Sequence, residues 1–168
     1  REKIAEQKIM EEVHMGRVAG PFRDPPFRNF RSSPIGLIPK SEPGKFRLIH
    51  HLSWPEGSSV NDGIGDEHAY TEYTTLDRVI DRIMRLGKGT LLAKADIQSA
   101  FRLLPVHPDD HCLLGFTFKN QYYYDMALPF GCRCSPQKFE EFSTFLNWCV
   151  QPKPEWDRDC VHYADDFM

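Results

Sequence analysis

Two adjacent carboxylates, Asp165 and Asp166, follow a short alternating segment at residues 160–164. The alternation predicts a strand that runs into a tight turn. Because side chains alternate between the two faces of a strand, neighbouring acids normally diverge, and a turn is needed to direct both toward one point. Two such acids repel each other unless a cation lies between them. The segment therefore predicts that both acids lie at a rigid strand end and that a cation lies beside them.

A third acid, Asp96, ends the mostly apolar run at residues 91–95. Carboxylate oxygens are the ligands that Mg²⁺ and Mn²⁺ prefer. Three acids from two strand ends are enough to hold two such ions roughly 3.5–4 Å apart, an arrangement suited to in-line phosphoryl displacement. We therefore predict that Asp96, Asp165 and Asp166 converge to bind two Mg²⁺ or Mn²⁺ ions.

Length and composition limit the remaining possibilities. A chain of 168 residues is at most one ordinary domain or a piece of a larger one, and the missing initiator Met favours a piece. No apolar run approaches the ~20 residues of a membrane span, so we expect no membrane partner. The five cysteines form no disulfide framework, which favours a reducing, intracellular setting without separating cytoplasm from nucleus.

Charge is unevenly distributed along the chain. Residues 1–50 hold 10 Lys and Arg against 6 Asp and Glu, whereas residues 51–168 hold 11 against 18. A basic segment beside an acidic segment that contains metal ligands is typical of phosphate-handling enzymes, although ordinary surface variation gives similar asymmetries.

Local patterns predict an α+β fold in two layers, with an antiparallel sheet backed by helices. The expected helices cover 1–15, the segment from Leu76 to Gly87, and a segment that Ser135-Pro136 opens as N-cap and N1 and that Pro152 and Pro154 close. The expected strands are the hairpins 35–40/45–50 and 113–118/122–126, the segment 90–96, and a last strand entering Tyr163–Asp166. Residues 20–34 and 53–74 are expected to be loops, and 99–103 a short helical turn.

Several segments resemble, in order and spacing, the palm motifs of reverse transcriptases: Asp96–Phe101, Leu128–Gly131 with Ser135-Pro136, and Tyr163–Asp166. The hairpin at 33–51 looks like the fingers hairpin of that family. The sequence of this hairpin, together with Ser58–Asp62, is most similar to DIRS-like (tyrosine-recombinase) retrotransposons. The resemblance implies a fingers region at 1–90, with an N-terminal helix and a β-hairpin, and a palm at 91–168 that is truncated just after Tyr-Ala-Asp-Asp.

The resemblance also implies a role for individual residues. Asp96, Asp165 and Asp166 match the catalytic acids, with Asp96 and Asp165 in direct contact with metal and Asp166 acting mainly through charge. Lys40 and Arg47 match the fingers cations that clamp the incoming triphosphate. Without that context they would be two exposed hairpin charges.

Further matches concern the nucleotide and the primer. Phe101 is expected to pack beneath the sugar and exclude a 2′-hydroxyl, although it also suits an ordinary core. The amides of Ser99 and Ala100 are expected to hold phosphate, and Phe130 to touch the nucleotide. Gly131 is expected to permit close approach of nucleic acid, and Tyr163 to pack near the primer terminus.

The sequence therefore favours an RNA-directed DNA polymerase that uses a primed RNA or DNA template and deoxynucleoside triphosphates. The thumb, RNase H and recombinase regions of the parent polyprotein are expected to be missing from this piece, which alone could be inactive. One alternative is a non-catalytic nucleic-acid-binding relic of a retroelement. Another is a metal-dependent nuclease, which would need a water-activating base beside the acids.

Overall fold

The computed structural model describes residues 1–150 and 160–168 and divides the chain into two compact units. The first unit contains residues 1–69 and 101–135, and the second contains residues 70–100 and 136–168. Helices and antiparallel sheets occur together, as the predicted α+β class requires. The predicted closure of the last helix at Pro152 and Pro154 lies outside the described residues.

The first unit is built around an N-terminal helix and a three-stranded sheet. Helix α1 (Glu2–His14) covers the predicted segment, and the chain leaves it through Gly16 at φ +68°. The sheet has the order β1-β6-β5, with β1 at Val18–Phe22, β5 at Gly115–Phe118 and β6 at Gln121–Asp125. The core is formed where the helix meets the sheet, by Ile9, Val18, Phe116 and Tyr123.

Local turn chemistry explains both hairpins of this unit. Lys119 and Asn120 have φ values of +48° and +58° between β5 and β6, as a two-residue hairpin turn requires. Strands β2 (Ile35–Pro39) and β3 (Phe46–His50) pair in register around the predicted turn, in which the Lys45 amide donates to the Glu42 carbonyl at 3.2 Å. Both predicted hairpins are therefore confirmed, with ends shifted by one or two residues.

One expectation for this unit is wrong. Residues 20–34 were expected to be loop, whereas Gly20, Pro21 and Phe22 belong to strand β1. Proline is tolerated there because β1 is an edge strand, where a missing N–H donor leaves no central ladder bond unmade.

The second unit contains two helices and a small sheet. Helix α2 (Leu76–Leu86) begins at Thr75, whose hydroxyl accepts from the Arg78 amide at 3.4 Å, and it ends at Gly87 as predicted. Helix α3 spans Ser135–Val150. The sheet has the order β4-β8-β7, with β4 at Ala95–Asp96, β7 at His162–Tyr163 and β8 at Asp166–Phe167.

Three details of these elements differ from expectation. The strand expected at 90–96 is regular only at Ala95–Asp96. The terminal segment is a hairpin, β7 turning into β8 through Ala164 at φ +51°, rather than one strand. Ser135 is the first residue of α3, and its hydroxyl donates to the Pro129 carbonyl at 3.0 Å instead of capping the helix.

Candidate active site

The acidic edge of the second unit is built by strand pairing. Asp96 in β4 is the register partner of Asp166 in β8, and Asp166 is also the partner of Tyr163 in β7. The Ile97 amide donates to the Asp165 carbonyl at 2.9 Å, which fixes the turn between β7 and β8 beside the end of β4. Directly opposed residues of an antiparallel pair share one face of the sheet, about 4.5–5.5 Å apart at Cβ. The structure therefore brings Asp96 and Asp166 together across 70 residues of sequence.

The side chain of Lys94 places a positive charge beside these acids. Lys94 Nζ lies 2.9 Å from Asp166 Oδ1, and both side chains are partly exposed. The hydrogen bond to Asp166 is the main cause that raises the pKa of Lys94, and the charges of Asp166, Asp96 and Asp165 add to it. One ammonium therefore senses all three predicted catalytic acids. Sequence reasoning missed Lys94, although its place two residues before Asp96 was a usable signal.

The donor chemistry of this edge fits a hard divalent cation. Asp96, Asp165 and Asp166 supply carboxylate oxygens. The ammonium of Lys94 lies at a position where a positive charge interacts favourably with all three of them. Within residues 1–150 and 160–168, no group of three or more His, Cys, Asp or Glu side chains is arranged to hold a metal ion. An ion that bound all three acids would therefore require side-chain movement and displacement of Lys94.

Tyr163 lies beside the acids in β7. Its ring is 55% exposed, so it is not a core aromatic, and its centroid lies 5.0 Å from that of Tyr73. Burial is the main cause that raises the pKa of Tyr73. Tyr163 thus presents a large accessible ring next to Asp166, its cross-strand partner.

The residues predicted to position phosphate before Phe101 adopt unusual backbone conformations. Ser99 and Ala100 have φ values of +69° and +26°. The Ala100 amide donates to the Ile97 carbonyl at 3.3 Å, so a phosphate bound there would have to replace this bond. Their predicted role remains a prediction.

Three predicted nucleotide residues meet in the first unit. The Arg47 guanidinium carbon lies 4.8 Å from the centroid of the Phe130 ring. The rings of Phe130 and Phe101 lie 5.2 Å apart between centroids. Arg47 is exposed on β3, where it is paired with Ile38, and Lys40 is exposed just beyond β2. The hairpin therefore presents two cations, one of them stacked on an aromatic platform.

A steric contact within the fold explains why residue 131 is glycine, and the sequence alone did not indicate this contact. The φ of Gly131 is +118°, and a Cβ atom added there would lie 1.9 Å from the His50 carbonyl oxygen. The Asn61 side chain fixes the same loop by donating to the Gly131 carbonyl at 2.8 Å and accepting from the Arg133 amide at 2.9 Å. The close approach that requires glycine here is therefore to the end of β3, whatever approaches from outside.

A buried ionic network, which sequence reasoning missed, supports the nucleotide residues of the first unit. Arg102, next to Phe101, lies 2.7 Å from Asp125 and 2.9 Å from Glu12. His50, three residues after Arg47, places Nδ1 2.8 Å from Asp125 and Nε2 3.0 Å from the Gly115 carbonyl. Since both ring nitrogens face acceptors, the network holds the ends of β3 and β6 and the turn after Phe101 in one arrangement.

The aromatic residues of the 20–34 segment pack on the same sheet. Phe22 and Phe27 contact Tyr124 at centroid distances of 5.8 and 4.9 Å, and Phe30 contacts Tyr122 at 5.7 Å. These ring contacts anchor the segment to the sheet.

The second unit also contains a cleft. It has a volume of about 370 Å³, and its lining includes Tyr73, Arg78, Glu140 and His162. His162 Nε2 lies 2.9 Å from Glu140 Oε1, so a buried pair closes one side. None of the predicted catalytic acids lines this cleft.

Comparison with protein families matches residues 38–168 to the family described as "Reverse transcriptase (RNA-dependent DNA polymerase)". The chain belongs to the reverse transcriptase family. None of the curated proteins matches it. No helix in the described ranges has both the length and the apolar character that crossing a membrane requires.

Solved structures of foamy viral reverse transcriptases have a similar fold. The protease-reverse transcriptase dRH in complex with dsDNA is 18% identical, with a TM-score of 0.69 over 97% of this chain and 25% of that one. The protease-reverse transcriptase in complex with an RNA/DNA hybrid is 19% identical, with a TM-score of 0.64 over 99% of this chain and 19% of that one. This chain thus spans a quarter or less of these two relatives, and identities this low establish the fold alone.

Proposed function

We propose that this chain is the nucleotidyl-transferring part of an RNA-directed DNA polymerase. The reaction would join a deoxynucleoside triphosphate to the 3′-hydroxyl of a primer and release pyrophosphate. The observation that carries the proposal is the opposition of Asp96 to Asp166 beside the Asp165 turn, with all three acids acting on Lys94. A cluster of this charge on a rigid sheet edge attracts divalent cations.

Asp96, Asp165 and Asp166 would hold two Mg²⁺ or Mn²⁺ ions. When bound, such ions lower the pKa of the primer hydroxyl and offset charge on the leaving pyrophosphate. Asp96 and Asp165 are the direct ligands in this proposal, and Asp166 contributes charge while it exchanges its bond to Lys94. Tyr163, exposed beside Asp166, would pack against the primer terminus.

We assign recognition of the nucleotide to the basic hairpin and to the aromatic residues near it. Arg47 offers a planar guanidinium that suits bidentate contact with phosphate, and Lys40 adds a second cation at the end of the same hairpin. Phe130 supports the Arg47 guanidinium from below. Phe101, packed on Phe130, supplies the bulk that would exclude a ribose 2′-hydroxyl. Ser99 and Ala100 would offer backbone amides, and Gly131 would leave room beside the template.

The complexes of the relatives support a proposal for the template. Foamy viral reverse transcriptases have been solved with dsDNA and with an RNA/DNA hybrid. We propose primed RNA or DNA as the partner of this chain, within a parent protein that adds thumb, RNase H or recombinase regions. The sequences of the fingers hairpin and of residues 58–62 favour a DIRS-like retrotransposon as the source.

A second candidate is a nucleic-acid-binding relic without catalysis. The observation in its favour is the ion pair between Lys94 and Asp166, which occupies one predicted ligand. A relic of this kind would retain the basic hairpin and bind template-primer, but Asp166 would stay paired with Lys94 in the presence of Mg²⁺.

Primer extension separates the two candidates. The wild-type chain is assayed with Mg²⁺, a primed RNA template and labelled deoxynucleotides, beside Asp165→Asn and the control Glu141→Gln. Glu141 is an exposed acid of α3 that pairs with Lys138. We expect Asp165→Asn to lose incorporation by at least about a hundredfold, since one charge of the metal site is removed, and Glu141→Gln to retain it. Equal incorporation by Asp165→Asn and wild type would exclude the polymerase proposal, whereas template binding without any incorporation, by this chain and by the longer parent protein, supports the relic.

A further inference from the structure

Two thiols meet directly behind the Phe130 loop. Cys132 Sγ and Cys134 Sγ lie 3.4 Å apart, within hydrogen-bonding distance for sulfur. Cys132 is buried with Leu52 and Leu114, and Cys134 packs against that cluster while remaining partly accessible. The Cys-Arg-Cys segment therefore places one protected sulfur against one reachable sulfur.

The surroundings of Cys132 stabilise a negative charge on sulfur. Hydrogen bonds from the thiol of Cys134, and then from the amides of Cys134 and Ser135, lower the pKa of Cys132 to about 6. These donors lie where helix α3 begins, at Ser135. Thiolates with a neighbouring second thiol are the usual targets of peroxide in proteins.

We propose that Cys132 and Cys134 form a peroxide-sensitive dithiol, a modification site that closes to a disulfide within the Cys-Arg-Cys segment. The Cys132 thiolate attacks one oxygen of hydrogen peroxide, the O–O bond breaks, and hydroxide leaves and takes up a proton to become water. Cys134 then attacks the sulfur of the resulting sulfenic acid, losing its proton as a second water departs. Both sulfurs are oxidised by one electron, and both peroxide oxygens are reduced.

Closure of this disulfide changes the loop that carries Phe130. The two sulfurs must approach from 3.4 Å to about 2.05 Å, and the backbone between them cannot follow freely because Asn61 holds both the Gly131 carbonyl and the Arg133 amide. The Phe130 carbonyl in turn accepts from the His50 amide at 2.8 Å. Oxidation therefore strains the loop on which Arg47 is stacked, and, resting on the proposed function, it lowers affinity for deoxynucleotides.

Peptide mapping tests the chemistry independently of polymerase activity. The reduced wild-type chain is treated with hydrogen peroxide at pH 7, alkylated and digested with trypsin, which cleaves after Arg133 and leaves the two cysteines on the separate peptides 120–133 and 134–138. We expect these peptides to appear joined and to separate on reduction. The exposed Cys149 is the internal reference, and we expect it to oxidise at least about tenfold more slowly.

Two variants separate the roles of the sulfurs. In Cys134→Ser, Cys132 should stop at a sulfenic acid that dimedone traps, and in Cys132→Ser, Cys134 should react no faster than Cys149. Cys149→Ser is the control and should close the disulfide at the wild-type rate. Failure to join peptides 120–133 and 134–138, or equal oxidation of Cys132 and Cys149, would overturn the proposal.

Nucleotide affinity is then measured on the reduced and oxidised protein with a fluorescent deoxynucleotide. We expect a several-fold loss on oxidation that reduction restores. An unchanged affinity in a protein whose disulfide has formed would overturn the link to the Phe130 loop. If the reduced protein binds no deoxynucleotide, the proposed function fails while the mapped disulfide still supports the modification site.

Discussion

Arg102 Nη1 lies 2.7 Å from Asp125 Oδ1, and each of these side chains is only 7% exposed. Removing one member of a buried, hydrogen-bonded ion pair leaves the other charge uncompensated, at a cost of about 3–5 kcal/mol. We expect Arg102→Met to lower the free energy of unfolding by about that amount, because buried Asp125 loses its guanidinium partner and keeps only its contact with His50, whereas Glu12 remains paired with Arg17. Urea denaturation monitored by circular dichroism measures the change.

Lys138→Met provides the matched control. Lys138 pairs with Glu141 on the surface of α3, where the side chains are 45% and 58% exposed. Exposed pairs contribute about 0–1 kcal/mol, so this variant should unfold close to wild type. A similar loss in both variants would mean that the Arg102 network contributes no more than a surface pair.

Gly131 and Gly57 form a second contrast. Both have positive φ, but a Cβ at Gly57 meets nothing within 4 Å, whereas one at Gly131 meets the His50 carbonyl. We expect Gly57→Ala to lower the free energy of unfolding by about 1 kcal/mol through backbone strain, and Gly131→Ala by more than about 2 kcal/mol because the loop must also move away from β3. Thermal unfolding of the two variants measures both changes. Equal losses would show that steric contact at Gly131 has no effect beyond its φ.

Elements governed by local rules were predictable from the sequence. The Glu42–Lys45 turn specified the β2–β3 hairpin, and Thr75 with Gly87 specified the ends of α2. The apolar period of α2 did not predict burial, since Leu76 and Met84 are 72% and 73% exposed. A period of 3.6 identifies a helix, whereas the surface that covers its apolar face depends on tertiary contacts.

The carboxylates of the candidate site could be predicted from the sequence because grouped carboxylates have one dominant chemistry, the binding of cations. The three acids were predicted as a group because adjacent carboxylates need a cation, and the structure brings Asp96 opposite Asp166, while their metal-binding role remains a prediction. The Arg102 network was not found, because Arg102 and Glu12 are 90 residues apart in sequence and neither belongs to a motif. Such buried pairs depend on the packing of several elements, which no local pattern encodes. The fingers and palm division at residue 90 remains a prediction.

Arg47 provides a prediction for the nucleotide site. Because its guanidinium forms a planar fork and stacks on Phe130, lysine should not replace it. We expect Arg47→Lys to weaken deoxynucleotide binding by about tenfold or more, as loss of a charge-assisted hydrogen bond implies. Fluorescence titration with a labelled deoxynucleotide measures this. Lys45→Met, which removes the neighbouring hairpin cation paired with Glu42, should bind like wild type. Wild-type affinity in Arg47→Lys would argue for a simple point charge.

Lys94 provides a prediction for cation binding at the acidic edge. Its ammonium is bonded to Asp166 and senses Asp96 and Asp165, so it competes with any divalent ion for the same oxygens. We expect Lys94→Met to bind Mn²⁺ several-fold more tightly than wild type, measured by the electron paramagnetic resonance signal of the free ion. Lys119→Met, which removes an exposed cation paired with Glu6, is the control and should not change Mn²⁺ affinity. Weaker binding by Lys94→Met would show that Lys94 organises the acids rather than competing for them.

The Cys132 thiol makes stability depend on pH in a defined window. Hydrogen bonding by the Cys134 thiol, followed by the amides of Cys134 and Ser135, lowers the pKa of Cys132 from 9.0 to about 6 in the folded chain. Because the folded state loses this proton more readily than the unfolded state, the thiolate contributes stability that is fully present above about pH 9 and is lost as the pH falls through about 6.

The corresponding experiment compares wild type with Cys132→Ser in urea at pH 6, 7.5 and 9 under reducing conditions. Subtracting the variant removes the contributions of all groups that titrate equally in both proteins. We expect the difference in free energy of unfolding to rise with pH by up to ~1.4 kcal/mol per pH unit across this window. A serine hydroxyl does not ionise in this range, so the variant supplies a flat reference at this position. A difference that stays constant from pH 6 to pH 9 would show that Cys132 remains a neutral thiol in the folded chain.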